Sequence, residues 1–186
     1  MTDGKMTRRA MIAAGAALGL AGAARAQDSG AEVDRNASAF RMMDWRDHFD
    51  SLARGAIICD IASRALHYWG PDGSHLLVPT SVPRTDELTR RGRTEITRKA
   101  ENPTWTTTPS QRERYPDWPL QIPGGDPANP LGVRALYLSW PAYLLHGTHD
   151  TRKIGRQSSD GCIGMYNHHV TQLYGLVQIG TPVVLL

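Results

Sequence analysis

The sequence predicts one domain built mainly of short strands, with its best-patterned helix near the C-terminus. Three observations carry that prediction. Short β-rich runs bounded by turn residues recur from residue 56 onward. The stretch from Asn102 to about Gly132 holds seven prolines, at 103, 109, 116, 119, 123, 127 and 130, which predicts neither an ordinary helix nor a central strand. Val170, Leu173, Tyr174 and Val177 then fall at helical spacing.

In chain order, residues 1–26 read as an export signal. Lys5, Arg8 and Arg9 make a basic start, Ala10 to Ala24 is apolar and small, and Ala24-Arg25-Ala26 fits the small-x-small cleavage rule. Cleavage is expected after Ala26. The apolar run is too short for a stable membrane span. The Arg8-Arg9 pair fits a twin-arginine signal, and a general secretory signal with adjacent arginines is the other reading. Residues 27–54 read as a flexible leader ending in an amphipathic helix, with Met43, Phe49 and Leu52 among charges between Phe40 and Leu52. Gly55 ends it, and the domain is expected over 55–186.

Ala56-Ile57-Ile58-Cys59-Asp60-Ile61 reads as the first strand and Ala65 to Trp69 as its partner, followed by a Pro71-Asp72-Gly73 turn and a third strand at Leu76 to Val78. Arg84 to Arg91 is charged and loop-like, and Thr94 to Lys99 alternates as a strand does. In the proline-rich stretch, Trp105, Tyr115 and Trp118 predict an ordered loop packed on the domain, because a disordered linker is poor in aromatics. Arg134 to Ser139 and Tyr143 to His146 read as strands around Trp140-Pro141. A helix is expected over Asn167 to Val177, ended by Gly180-Thr181-Pro182, and Val183 to Leu186 is a last buried strand.

Charge excludes one class of function. The whole chain has 21 basic and 18 acidic residues. The leader holds Lys5, Arg8, Arg9, Arg25 and Asp3, so the processed chain keeps 17 of each. The basic balance belongs to the leader and gives no footprint for nucleic acid. About 160 residues after processing (186 less 26) suit one domain with a sizeable core.

The chemistry concentrates between His146 and Cys162. A cysteine nucleophile needs a base to form its thiolate, backbone N–H donors for the oxyanion, and a turn tight enough to expose the sulfur. Gly161 permits such a turn before Cys162. His146, sixteen residues upstream, can supply the base from an adjacent element.

These residues resemble the active site of the L,D-transpeptidase family, bacterial cell-wall enzymes with a catalytic cysteine. The family pattern is His-Gly-Thr, a loop with an Ile-Gly step, then Ser-x-Gly-Cys and an apolar residue. Here it runs His146-Gly147-Thr148, Ile154-Gly155 and Ser159-Asp160-Gly161-Cys162-Ile163. The resemblance covers roughly residues 55 to 186. It implies a mainly β fold of β-sandwich-like mixed sheets, with a helix following the cysteine. It implies Cys162 as nucleophile, His146 as general base, the Gly147 carbonyl orienting the imidazole, and backbone N–H groups at Gly161 and Cys162 as oxyanion hole. Ser159, Asp160, Gly164, Arg156 and Trp105 are the residues expected to meet the substrate. That substrate is expected to be a peptidoglycan stem peptide, with no metal and no cofactor, in the periplasmic cell-wall compartment. A thioester at Cys162 would pass to a neighbouring stem amine, giving a 3→3 crosslink. Cys59 reads as a buried structural residue, and a Cys59–Cys162 disulfide is rejected as the working state.

The sequence departs from the family pattern at three positions. Asp160 stands where His is frequent, Gly164 where Arg is common, and His169 where Asp is usual. Altered specificity or a slower reaction is expected, with Arg156, Arg152 or Lys153 replacing the missing arginine, or Gly164→Arg restoring it. Three alternatives stay open. The first is an L,D-carboxypeptidase or amidase on wall peptides. The second is a catalytically weak wall-binding protein of the same fold. The third is a metal hydrolase using His146, His149, Asp150, His168 and His169.

Overall fold

The computed structural model describes residues 40–186. The expected export signal and the first part of the leader lie outside the described residues. The strands are β1 (Ala56–Asp60), β2 (Ala65–Trp69), β3 (His75–Pro79), β4 (Val82–Pro83), β5 (Gly92–Glu101), β6 (Trp105–Thr106) and β7 (Gln121–Ile122). Then come β8 (Arg134–Leu138), β9 (Leu144–His146), β10 (Gln157–Ser159), β11 (Ile163–Gly164) and β12 (Pro182–Leu185). Two α-helices interrupt them, α1 (Pro109–Arg114) and α2 (Asn167–Leu176).

Eight strands form one mixed sheet in the order β11-β9-β8-β5-β12-β1-β2-β3. The long strand β5 joins its two halves. Gly92 to Glu95 pairs with β12, Ile96 to Glu101 pairs with β8, and the register shifts between Ile96 and Arg98. Such an irregularity bends a strand and lets the sheet curl. Both halves then turn apolar sides to one core, where Ile57, Leu66 and Val183 meet Leu136, Leu145, Ile163 and the α2 residues Val170 and Leu173.

β1 is buried at every position, which explains its apolar run from Ala56 to Cys59, and the carboxylate of its last residue, Asp60, is paired with Arg41 at 3.2 Å. It lies between β2 and β12, with β12 parallel to it and Ile57 opposite Val183. The last strand is therefore interior to the sheet. Lys99 on β5 ties in the C-terminal end of α2, its Nζ donating to the Tyr174 and Val177 carbonyls at 2.5 and 2.8 Å. A cation there meets unpaired carbonyls and the negative end of the helix dipole.

Two expectations change. The helix over Phe40 to Leu52 is absent apart from one 3-10 turn at Trp45–Asp47, capped by the Asp44 side chain. Met43, Phe49 and Leu52 are six and three residues apart, so a regular helix cannot turn all of them to one surface. The irregular chain lets Met43, Trp45, Phe49 and Leu52 pack on Ala56, Ile58, Trp69 and Val184, the outer face of the sheet.

The proline-rich stretch does contain a helix. Pro109 opens α1, where its missing N–H costs nothing. Thr108 and Gln111 close a capping box around it, with bonds of 3.2 and 3.0 Å. The stretch is an ordered lobe, as its aromatics predict. Trp105, Tyr115 and Trp118 cluster, and β6 pairs with β7. Asn129, fully buried, staples its base. Its Nδ2 donates to the carbonyls of Pro103, Ile122 and Pro123, and its Oδ1 accepts from the Leu131 N–H.

Candidate active site

β9 and β11 run parallel, with Leu145 opposite Ile163 and His146 opposite Gly164. Side chains alternate along each strand. Leu145 and Ile163 therefore enter the core, while His146 and Cys162, just before β11, turn to the opposite face. Both line a cleft of about 1090 Å3. Its walls include the lobe residues Trp105 and Trp118 on one side and Leu88, Ala142 and Tyr143 on another.

Gly161 has φ of +138°, a backbone conformation that favours glycine. This turn presents Cys162 to the cleft. Cys162 Sγ donates weakly to the Ala142 carbonyl at 3.5 Å, and the residue packs against the cluster of Leu131, Ala135 and Leu144. His146 Nδ1 lies 2.5 Å from the carbonyl oxygen of Gly147. A carbonyl only accepts, so Nδ1 carries the proton and Nε2 is left as the basic nitrogen.

The electrostatics favour a neutral pair at rest. Burial pushes the Cys162 thiol up to about 11; a backbone hydrogen bond from Leu144 opposes this, and the Asp160 charge adds to it. Burial also pushes His146 down to about 4, against the bond to Gly147 and with help from the Lys153 charge. Near neutral pH the site holds a thiol and an imidazole.

The remaining expected residues divide. Ser159 and Asp160 line the cleft, and Ser159 Oγ accepts from the Gly161 N–H at 3.4 Å. Trp105 lines it too. Gly164 does not. It is buried, exchanging backbone hydrogen bonds with Ser81 at 2.8 and 3.2 Å, so substrate cannot reach it. Arg156 is exposed outside the cleft lining, because its loop turns the side chain away while its carbonyl pairs with Val82 N–H. The cation beside the turn that carries Cys162 is instead Arg84. Its Nη2 donates to Asp160 at 2.5 Å, with Arg114 3.7 Å from the same oxygen. Arg84 was not legible as a site residue, because an arginine in a charged loop has no periodicity and its partner is 76 residues away. Asn167 accepts from the N–H groups of Val133 and Thr148 at 3.3 and 3.2 Å, tying the His146-Gly147-Thr148 segment to α2.

Cys59 is a free, buried cysteine, its thiol driven far up by burial, and Cys162 is also free. The histidines weighed as metal ligands are not gathered. His149 lines the cleft with His146, whereas at the start of α2 His168 stacks on Tyr166 and His169 meets the same ring edge-on. Among the described residues no three His, Cys, Asp or Glu side chains converge. Among the same residues no helix is long and apolar enough to cross a membrane.

Comparison with known proteins gives one family. The model of the L,D-transpeptidase catalytic domain (YkuD) matches residues 54–185. The chain is 56% identical over 188 residues to the ORF 5 protein of the ATP synthase subunits region of Fuscovulum blasticum, named as an L,D-transpeptidase, covering 98% of each. It is 34% identical over 143 residues to the Escherichia coli K12 protein ErfK/SrfK, named in the same way, covering 74% of this chain and 45% of that one. The fold matches L,D-transpeptidase 3 of Mycobacterium tuberculosis, solved with a faropenem-derived adduct. The TM-score is 0.57 at 16% identity, over 71% of this chain and 60% of that one.

Proposed function

The chain belongs to the L,D-transpeptidase catalytic-domain family, and from that premise we propose that it crosslinks peptidoglycan stem peptides 3→3 through a thioester on Cys162. The observation that carries this reading is the shared face of His146 and Cys162, with Nδ1 engaged by Gly147 and Nε2 left as base. Cys162 Sγ attacks the carbonyl of the third stem residue while its proton passes to His146 Nε2. N–H groups at Gly161 and Cys162 receive the oxyanion. The C–N bond breaks, the imidazolium returns its proton, and the fourth residue leaves as the free D-amino acid. An amine of a second stem then attacks the thioester. The new amide forms, the C–S bond breaks, and the amine's proton returns through His146 to the sulfur.

Acyl transfer of this kind belongs in the wall compartment. Residues 1–26 are proposed to take the chain there and to be removed after Ala26. N-terminal sequencing of the exported protein should begin at Gln27, and an unprocessed chain held in the cytoplasm would overturn that part.

Intact-mass analysis with a tetrapeptide stem, and separately with faropenem, tests the chemistry. Wild type should gain one acyl group and Cys162→Ala none. A stem dimer with release of the terminal residue is the expected product of turnover. Tripeptide without dimer would make water the acceptor, and an equal adduct on Cys162→Ala would remove Cys162 from the role.

A further inference from the structure

Asp160 is nine-tenths buried at the nucleophile turn, and two guanidinium groups address it. Arg84 comes from the segment after β4, and Arg114 from the end of α1 in the lobe. Arg84 is held at three points. Its Nη2 donates to Asp160 at 2.5 Å, its Nη1 donates to the Tyr115 hydroxyl at 2.7 Å, and its backbone N–H donates to the Ser159 carbonyl at 3.1 Å. One carboxylate balances one of the two cations, so one positive charge is left beside the turn that carries Cys162. A guanidinium has five N–H donors. Two of Arg84's are used, and its side chain is 39% exposed in the wall of the cleft.

The other ionised lining of the cleft is Arg90, Lys153 and Glu87. Arg90 lies over the Trp140 ring at 4.5 Å. Arg84 is the cleft cation whose main chain and side chain are both bonded to the Ser159–Asp160 segment. A fixed, planar, partly exposed guanidinium loses little freedom on meeting a carboxylate, and its fork geometry suits that group.

We propose that Arg84, braced by Asp160 and Tyr115, receives a carboxylate of the acyl donor and so selects anionic peptides at Cys162. This rests on the acyl-transfer reading above. Arg84 is the specificity-determining contact, and Asp160 and Tyr115 position it. Arg114 supplies the second charge that keeps Asp160 from cancelling the first.

Binding without chemistry tests the inference. In the Cys162→Ala protein, calorimetric titration compares a tetrapeptide stem whose carboxyl groups are free with the same peptide fully amidated. The free acid should bind about ten-fold or more tightly, the size of one charge-assisted bond. Adding Arg84→Ala should remove that preference and leave the affinity for the amide unchanged. Arg84→Lys should keep part of it, because the charge remains and the fork does not. In the protein with its cysteine, faropenem and its methyl ester form a second acid–neutral pair, read as acylation rates. An undiminished acid preference in Arg84→Ala overturns the inference. So does an equal loss for acid and neutral probes in both Arg84 variants, which would make the residue structural. Failure of the acyl-transfer reading looks different: neither probe pair engages any variant, and the inference then falls with it.

Discussion

Gly164 backs directly onto Ser81: a methyl group on Gly164 would stand 2.5 Å from Ser81 Oγ and 3.6 Å from His146 Cε1. Glycine is needed here for room. The position opposite His146 lies against Ser81, so any side chain there must displace the Ser81 hydroxyl. Gly164→Arg is therefore expected to slow acylation, the reverse of what the sequence alone suggested. Gly164→Ala should cost about 1–3 kcal/mol as an overpacking change. Ser81→Ala removes the colliding oxygen and leaves a carbon at 3.8 Å, so it should recover most of that loss. Thermal melts of the two single variants and the double variant decide it. A double variant no more stable than Gly164→Ala would show that the collision is not the cause.

Asn167 is expected to hold the base segment in place. Asn167→Ala leaves the Val133 and Thr148 N–H groups without their acceptor, at about 1–3 kcal/mol for each buried unpaired group. Thr148 adjoins Gly147, whose carbonyl holds the imidazole, so acylation of Cys162 should slow as well. Asn167→Asp keeps an acceptor oxygen and should retain most of the stability. Denaturant unfolding and acylation rates of both variants are the measurements. Equal damage from Ala and Asp would count against the acceptor role.

The resting site should behave as a neutral pair. With the thiol near 11 and the imidazole near 4, alkylation of Cys162 by iodoacetamide should be slow at pH 7 and rise about ten-fold per pH unit toward pH 10. Peptide mapping separates this signal from that of the buried Cys59. A rate that levels off below pH 8 would mean a preformed thiolate–imidazolium pair.

Away from the site, His67 is fully buried in a three-ring cluster with Trp69 and His75, its Nδ1 3.2 Å from His75 Nε2. Burial, then the His75 charge, pushes His67 down to about 4 despite Asp60, and burial lowers His75 as well. The folded state refuses protons that the unfolded chain binds near pH 6.5. The stability this protects is complete above about pH 6.5 and is lost as pH falls toward 4. His67→Phe removes one such group and should flatten the fall in Tm between pH 7 and 4.5. A fall as steep as wild type would assign the acid sensitivity elsewhere.

The sequence by itself determined the elements whose signal is local. The apolar run Ala56 to Cys59 marked β1 because a strand buried on both faces favours apolar residues, and Asp60 at its end is buried with hydrogen-bond and ion-pair partners. Helical spacing marked α2 within one residue of its ends. The order from His146-Gly147-Thr148 to Gly161-Cys162 marked the pair proposed as base and nucleophile, which the fold then brings to one cleft. Local pattern failed where several residues share a surface without a period, as Met43, Phe49 and Leu52 do. It also failed where one proline sits at the first turn of a helix, as Pro109 does. Tertiary structure alone decided the parallel pairing of β9 with β11, which puts His146 and Cys162 on one face, and the arrival of Ser81 behind Gly164. It alone brought Arg84 to Asp160 across 76 residues of chain. Burial and periodicity are written into neighbouring residues. The partner of a strand or an arginine is settled only when the whole chain closes, because hiding every apolar face at once selects one arrangement of distant segments.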